Sequence, residues 1–137
     1  MIAVVDTSAV MRLFIPDGPI PRGLEAFMRG VECGANSAIA PELLLVEALN
    51  VVVKKQRRGE LSADEAEGLV GLLQQLPIRY HGHLALSQTS YRLAVENRLT
   101  GYDAVFLALA LGRGVPLFTA DERLQAITES MGLTPAT

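Results

Sequence analysis

The sequence is poor in the residues that staple small proteins together. It holds a single cysteine, Cys33, so no internal disulfide can form. That cysteine and the two histidines, His81 and His83, are too few ligands for a Cys/His zinc cluster. A reducing, cytoplasmic compartment is the expectation, with Cys33 read as a small buried hydrophobe and the histidines as surface residues. There is no tryptophan, aromatics make up 5%, and the only lysines are Lys54 and Lys55. Long apolar runs are missing too. The longest strictly apolar stretch, Ala104 to Leu111, falls far short of the roughly 18 residues a spanning helix needs. Met1 to Asp6 carry no basic segment and read as a strand, not a signal peptide, so no membrane association is expected. Nor is positive charge in excess. Twelve Lys and Arg against fifteen Asp and Glu leave a net charge of −3, where a nucleic-acid binder is expected to be basic.

What is present is apolar and regular. The 137 residues are 50% hydrophobic and 20% charged, which excludes intrinsic disorder and fits one domain spanning 1–137. A mean hydropathy of +0.29 hints at a partner surface. The pattern alternates strand and helix. Ile2 to Val5 reads as a strand. Ser8 to Phe14 reads as a short helix, ended by Pro16-Asp17-Gly18-Pro19. Leu24, Phe27, Met28 and Val31 mark an amphipathic helix. Ala35 to Ala40 is a second strand. Pro41 opens a helix that runs to about Arg58 and stops at Gly59. Ser62-x-x-Glu65 is a capping box ahead of the stripe Leu69, Leu72, Leu73 and Leu76. Ile78 to His81 is a third strand. Helices follow over Leu84–Arg98 and Tyr102–Arg113, with Gly114 as C-terminal cap. Val115 to Phe118 is a strand, Asp121 to Met131 the last helix, and Thr134 to Thr137 a frayed end or short edge strand. This is an α/β chain with a parallel sheet covered on both faces. In such folds ligands gather at the carboxyl ends of the strands.

Four acids stand out. Asp6 ends the first strand and Asp121 lies just past the last. Asp103 sits in the first turn of a very apolar helix. Glu47 lies inside another, within Leu43-Leu44-Leu45-Val46-Glu47-Ala48-Leu49. A carboxylate among such neighbours is costly unless something compensates it. No Lys or Arg stands three or four residues away to do so. Those positions are Leu43, Leu44, Asn50 and Val51 around Glu47, Leu99, Thr100, Phe106 and Leu107 around Asp103, and Leu124 and Gln125 after Asp121. Ordinary capping accounts for part of the set. Thr100-x-x-Asp103 and Thr119-x-x-Glu122 are capping boxes, and Asp6 suits a turn. No cap explains a mid-helix Glu47. A divalent cation such as Mg²⁺ or Mn²⁺ would hold the four together. It would also bind phosphodiester oxygens and activate water. Without it the acids repel, and some stay protonated near neutral pH. With these four set aside, twelve basic residues face eleven acidic ones, or +1. The acidic total therefore does not argue against a nucleic-acid substrate.

Four segments carry a family resemblance. They are Val4-Val5-Asp6-Thr7-Ser8, Ala40-Pro41-Glu42-Leu43 with Val46 to Val51, Leu99 to Ala104 with Leu107 to Ala110, and Leu117 to Leu124. Together they resemble the PIN-domain family, specifically VapC-type toxins of type II toxin–antitoxin pairs. The resemblance implies a five-stranded parallel sheet flanked by helices and a Mg²⁺- or Mn²⁺-dependent endoribonuclease. Metal-activated water would cleave RNA to 5′-phosphate and 3′-hydroxyl ends. It implies that Asp6, Glu47, Asp103 and Asp121 are the catalytic and metal-binding quartet, with Thr119 and Ser8 supporting. It further implies a VapB-type antitoxin and a homodimer, for which the third helix and the Leu69–Leu76 helix offer apolar surface beyond the needs of a core. The basic run Lys54-Lys55-Gln56-Arg57-Arg58 suits a helix C-terminus. Lys54, Lys55, Arg57 and Arg58 are also candidates for RNA phosphate contact. Tyr91 and Tyr102 are read as packing residues.

Two phosphotransfer folds also place an Asp after a first strand. The haloacid-dehalogenase pattern wants a second Asp where Ser8 stands. A receiver domain wants a Lys at a late strand end, and both lysines lie on the third helix. A non-enzymatic alternative is a degenerate PIN module serving as an RNA-binding or protein-interaction scaffold. Such a module is expected to have lost acids that are all present here.

Overall fold

Ala3, Val4 and Val5 are fully withdrawn from water, as a central parallel strand covered on both faces requires. They belong to β1 (Ile2–Val5) in the computed structural model, which describes residues 1–136. The order continues with α1 (Thr7–Arg12), α2 (Leu24–Glu32), β2 (Ser37–Pro41), α3 (Leu43–Arg57) and α4 (Ala63–Gln75). After these come β3 (Ile78–His81), a 3₁₀ turn (Leu84–Leu86), α5 (Ser87–Asn97), α6 (Gly101–Arg113), β4 (Leu117–Phe118) and α7 (Glu122–Ser130). The strands are all parallel in the order β3-β2-β1-β4. Helix α6 packs against β1 and β2. Its residues Ala104 to Ala110 are all buried, so it is apolar all round and central. Helix α4 opens with the expected capping box: Glu65 N donates to Ser62 Oγ, and Ser62 N donates to Glu65 Oε1. Gly114 closes α6 in the left-handed region at φ 63°, where glycine carries no Cβ penalty.

Among the described residues the sheet has four strands, not the five the resemblance implies. Leu117 N donates to Leu133 O at 2.9 Å, so the chain does return beside β4. Residues 134–136 form no strand there, and Pro135 has no N–H to offer a ladder. The expected edge strand at Thr134–Thr137 otherwise falls on Thr137, which lies outside the described residues.

Other boundaries moved for local reasons. Pro41 ends β2, in register with His81, instead of opening α3; a proline is tolerated at a strand end. The strand expected over Val115–Phe118 is only Leu117–Phe118, although Val4 N still donates to Pro116 O. The helix expected over Leu84–Arg98 breaks into the 3₁₀ turn and α5. Arg98 caps α5 at φ 54°, the single non-glycine residue with positive φ among the described residues. Cys33 is exposed rather than buried: it caps α2 beyond that helix's buried face of Leu24, Phe27 and Met28. Tyr91 on α5 and Tyr102 in the first turn of α6 are likewise exposed.

Candidate active site

Asp6 N donates to Phe118 O, which sets Asp6 as the first residue past β1 and level with the end of β4. Its side chain turns back to cap α1. Oδ1 accepts from Ala9 N at 2.8 Å and from Ser8 Oγ at 2.7 Å. Asp6 is 5% exposed. Burial pushes its carboxyl up to about 6 and the Asp103 charge adds to this, against the hydroxyls of Thr119 and Ser8 and the Ala9 N–H, which favour the ionised form.

Glu47 reaches the same place from the middle of α3. Thr7 Oγ1 donates to its Oε1 at 2.7 Å. Burial raises its pKa and Asp103 adds to the rise, while Thr7 lowers it. Asp103 arrives from the first turn of α6. Thr100 Oγ1 accepts from Asp103 N at 3.1 Å. That is one half of the expected capping box, and it leaves the Asp103 carboxylate outside the cap. Burial raises its pKa, and so does the charge of Asp121; Thr100 and Arg123 act the other way. Asp121 is the N-cap of α7, where Oδ1 accepts from Leu124 N at 2.8 Å. This replaces the expected Thr119-x-x-Glu122 box. Thr119 is instead buried, and its Oγ1 accepts from Asp121 N.

Ser8 stitches the two strand ends together. Its Oγ donates to Asp6, accepts from Ala120 N at 2.9 Å and lies 3.3 Å from Thr119 Oγ1. Gln125 Nε2 donates to Thr119 O and fixes the same turn. With its lone pair and proton both engaged, Ser8 is a support and not a free nucleophile.

All four acids line one open cavity of about 400 Å³, with Thr7, Ser8, Arg12 and Asn50 among the other wall residues. The acids ring this space: among the described residues no three of them converge as a ready-made coordination sphere. None is ion-paired, since the salt bridges among the described residues are those of Lys55 with Asp17 and Glu60. The donor set is therefore hard oxygen, from carboxylates and hydroxyls, and suits a divalent cation of the Mg²⁺ kind.

The basic run does not join the cavity. Lys54, Arg57 and Arg58 are exposed at the far end of α3. Lys55 has a side chain only 12% exposed and bridges to Asp17 at 2.9 Å. Thr7 and Asn50 are site residues that sequence reasoning missed. Asn50 follows Glu47 by one helical turn, a spacing that could have flagged it. Nothing local ties Thr7 to a partner forty residues away.

Known proteins resemble this chain in sequence and fold. A family model described as PIN domain covers residues 3–129. Ribonuclease VapC3 of Pyrobaculum aerophilum is 29% identical over 123 residues, 88% of this chain and 90% of that protein. Ribonuclease VapC1 of Mycobacterium tuberculosis is 28% identical over 123 residues, 90% of this chain and 88% of that one. Among solved structures, PAE2754 from Pyrobaculum aerophilum aligns with a TM-score of 0.67 at 24% identity, covering 90% of this chain and 82% of the other. Mycobacterium tuberculosis VapC20, a sarcin-ricin loop cleaving toxin, aligns with a TM-score of 0.62 at 15% identity, covering 91% and 94%. The two structures share the fold, a parallel α/β sheet flanked by helices. With the family's model running from the second residue of β1 into the last helix, this chain belongs to the PIN-domain family.

Proposed function

We propose that the chain is an endoribonuclease, the toxin of a VapBC-type toxin–antitoxin module, and that Asp6, Glu47, Asp103 and Asp121 bind Mg²⁺ or Mn²⁺ for this chemistry. One observation carries the reading. Four carboxylates from four separate elements line one cavity, none of them in a salt bridge among the described residues, and the most buried is pushed up to about 6. Unpaired, perturbed acids in a cleft are expected of a working site, because a fold gains nothing from such repulsion. The similarity to proteins named ribonuclease VapC points to RNA as substrate. When bound, the ion supplies Lewis acidity, lowering the pKa of a water and screening charge on the phosphate. The chain's own part is to hold the oxygens. Ala9 N and Ser8 fix Asp6, Leu124 N fixes Asp121, and Thr7 fixes one oxygen of Glu47. Mg²⁺ commonly takes one or two carboxylates and fills its sphere with water and phosphate, so an open ring of acids suits it.

The same reading supplies partners. The exposed stripe Val46, Leu49 and Val53 on α3 is offered to a second copy. An apolar groove of Leu13, Phe14, Met28, Leu72 and Leu76 is offered to an antitoxin segment. No described helix is long and apolar enough to cross a membrane, and the cytoplasm is the proposed place of action. The alternative is a catalytically degenerate PIN scaffold, and the first experiment separates the two. Purified, antitoxin-free protein is incubated with total cellular RNA in Mg²⁺ or Mn²⁺, with chelator, and beside Asp103→Asn. Discrete new 5′-phosphate ends that need both metal and Asp103 are expected. The absence of both cleavage and calorimetric Mn²⁺ binding would favour the scaffold instead.

A further inference from the structure

A second, wider groove of about 830 Å³ adjoins the acid-lined cavity and shares Ser8, Arg12, Asp17 and Asp121 with it. Its walls come from α1, the segment 17–22 and the start of α7. Three arginines from those three places line it: Arg12, Arg22 and Arg123. None is ion-paired, because the salt bridges among the described residues belong to Lys55. Of the carboxylates facing them, Asp17 is matched by Lys55, and Asp121 belongs to the acid ring. With Asp17 matched, Asp121 and Glu122 remain against three guanidinium groups.

Arg12 is held in place. Its Nη1 donates to Pro19 O at 3.3 Å. The guanidinium lies so close over Gly18 that a Cβ there would fall 2.0 Å from Nη1. A side chain at this position would push the guanidinium aside. Arg123 is anchored on the other wall, where Nη2 donates to Asn97 O at 3.3 Å. A guanidinium so fixed presents its remaining N–H groups in the planar fork that suits phosphate oxygens.

A cavity with four acids outside any salt bridge repels a polyanion, so an RNA bound there needs cations close by. Single-stranded RNA is commonly held by a positive groove that tracks its backbone. We propose that Arg12, Arg22 and Arg123 hold the phosphates on one side of the cleaved bond, and that the exposed cations at the end of α3 do not take part. This rests on the ribonuclease reading for the position of the cleaved bond, but not for the binding itself.

The test uses the full chain carrying Glu47→Gln, in Mg²⁺, with a fluorescent 20-nucleotide single-stranded RNA pool of random sequence. Affinity is measured across a KCl series. Each phosphate contact to single-stranded nucleic acid contributes roughly 0.7 to the slope of log K against log salt. Arg12→Gln with Arg22→Gln is expected to reduce that slope by about 1.4. Gly18→Ala, which displaces only Arg12, is expected to reduce it by about half as much. Arg57→Gln with Arg58→Gln is expected to leave it unchanged. Circular dichroism melts check that each variant folds. A slope indifferent to the groove arginines, a slope that falls with Arg57 and Arg58, or no RNA binding at all would overturn the proposal. Cleavage by the chain with Glu47 intact is scored separately. An arginine-dependent slope without cleavage would remove the nuclease and keep the groove. Cleavage with an indifferent slope would do the reverse.

Discussion

Lys55 and Asp6 are both ionisable side chains largely withdrawn from water, and the molecule surrounds them in opposite ways. Lys55 has Asp17 at 2.9 Å and Glu60 at 4.0 Å. Asp6 has hydroxyls and an amide N–H but no salt bridge, and other acids share its cavity. At the end of α3, opposite charges meet and tie a helix to the 16–20 segment. At the carboxyl edge of the sheet, like charges are gathered and left unmatched. Matched charge serves the fold, whereas gathered like charge costs stability and is expected only where a ligand removes the cost.

The sharpest way to break this contrast is to neutralise one side of it. Asp6→Asn keeps an oxygen for Ala9 N and Ser8, and asparagine is as good an N-cap as aspartate. Cleavage should fall by roughly 10³-fold or more, the loss of several kcal/mol of charge stabilisation, while the metal-free melting temperature at pH 7 stays level or rises. A sharp drop in that temperature would make Asp6 a structural residue like Lys55.

Metal should next reveal itself as stability. Mn²⁺ at a hundredfold over its dissociation constant stabilises a folded chain by about 2.7 kcal/mol. A thermal-shift titration should show this gain for the unmodified chain and its loss in Asp103→Asn.

The same carboxyl predicts a pH trend in chelator-treated protein. The folded-state pKa of Asp6 lies above its ordinary value of 3.8, at about 6, so the folded chain holds this proton more tightly than the unfolded one. The stability so gained is complete below pH 3.8 and is lost as pH rises through about 6. Denaturant midpoints taken between pH 4 and 7 should decline more steeply for the parent than for Asp6→Asn.

Smaller effects sharpen the comparison. Thr7→Val removes the hydroxyl that fixes Glu47 and should lower kcat about tenfold, the worth of roughly one hydrogen bond to a charged group, with KM little changed. Lys55→Met should cost about 1 kcal/mol or less, because Asp17 is well exposed, and urea midpoints can resolve that. Cleavage at saturating RNA should be unaffected.

Much of the site was legible because local patterns placed it. The apolar run before Asp6, the mid-helix position of Glu47 and the strand–helix alternation put all four acids at one edge of a parallel sheet, where the structure has them. What failed was long-range. Lys55 read as part of a basic run, since helical spacing cannot see Asp17, thirty-eight residues away. Cys33 read as buried because cysteine usually is, although the stripe of α2 ends before it. The fifth strand was inferred from resemblance, and Pro135 interrupts it locally. Thr7 lay beside Asp6 in plain view, but only the approach of α3 gives it a partner.

Two of the four acids also begin helices. Asp6 Oδ1 receives Ala9 N to start α1, and Asp121 Oδ1 receives Leu124 N to start α7. Glu47 starts nothing. Decay of the site in related chains should therefore be uneven. A copy that stops cutting RNA is free to drift to an apolar residue at 47, but at 6 and 121 it remains confined to Asn, Ser, Thr or Asp by its helices. The chemistry can vanish and still leave its outline in the residues that fold the chain.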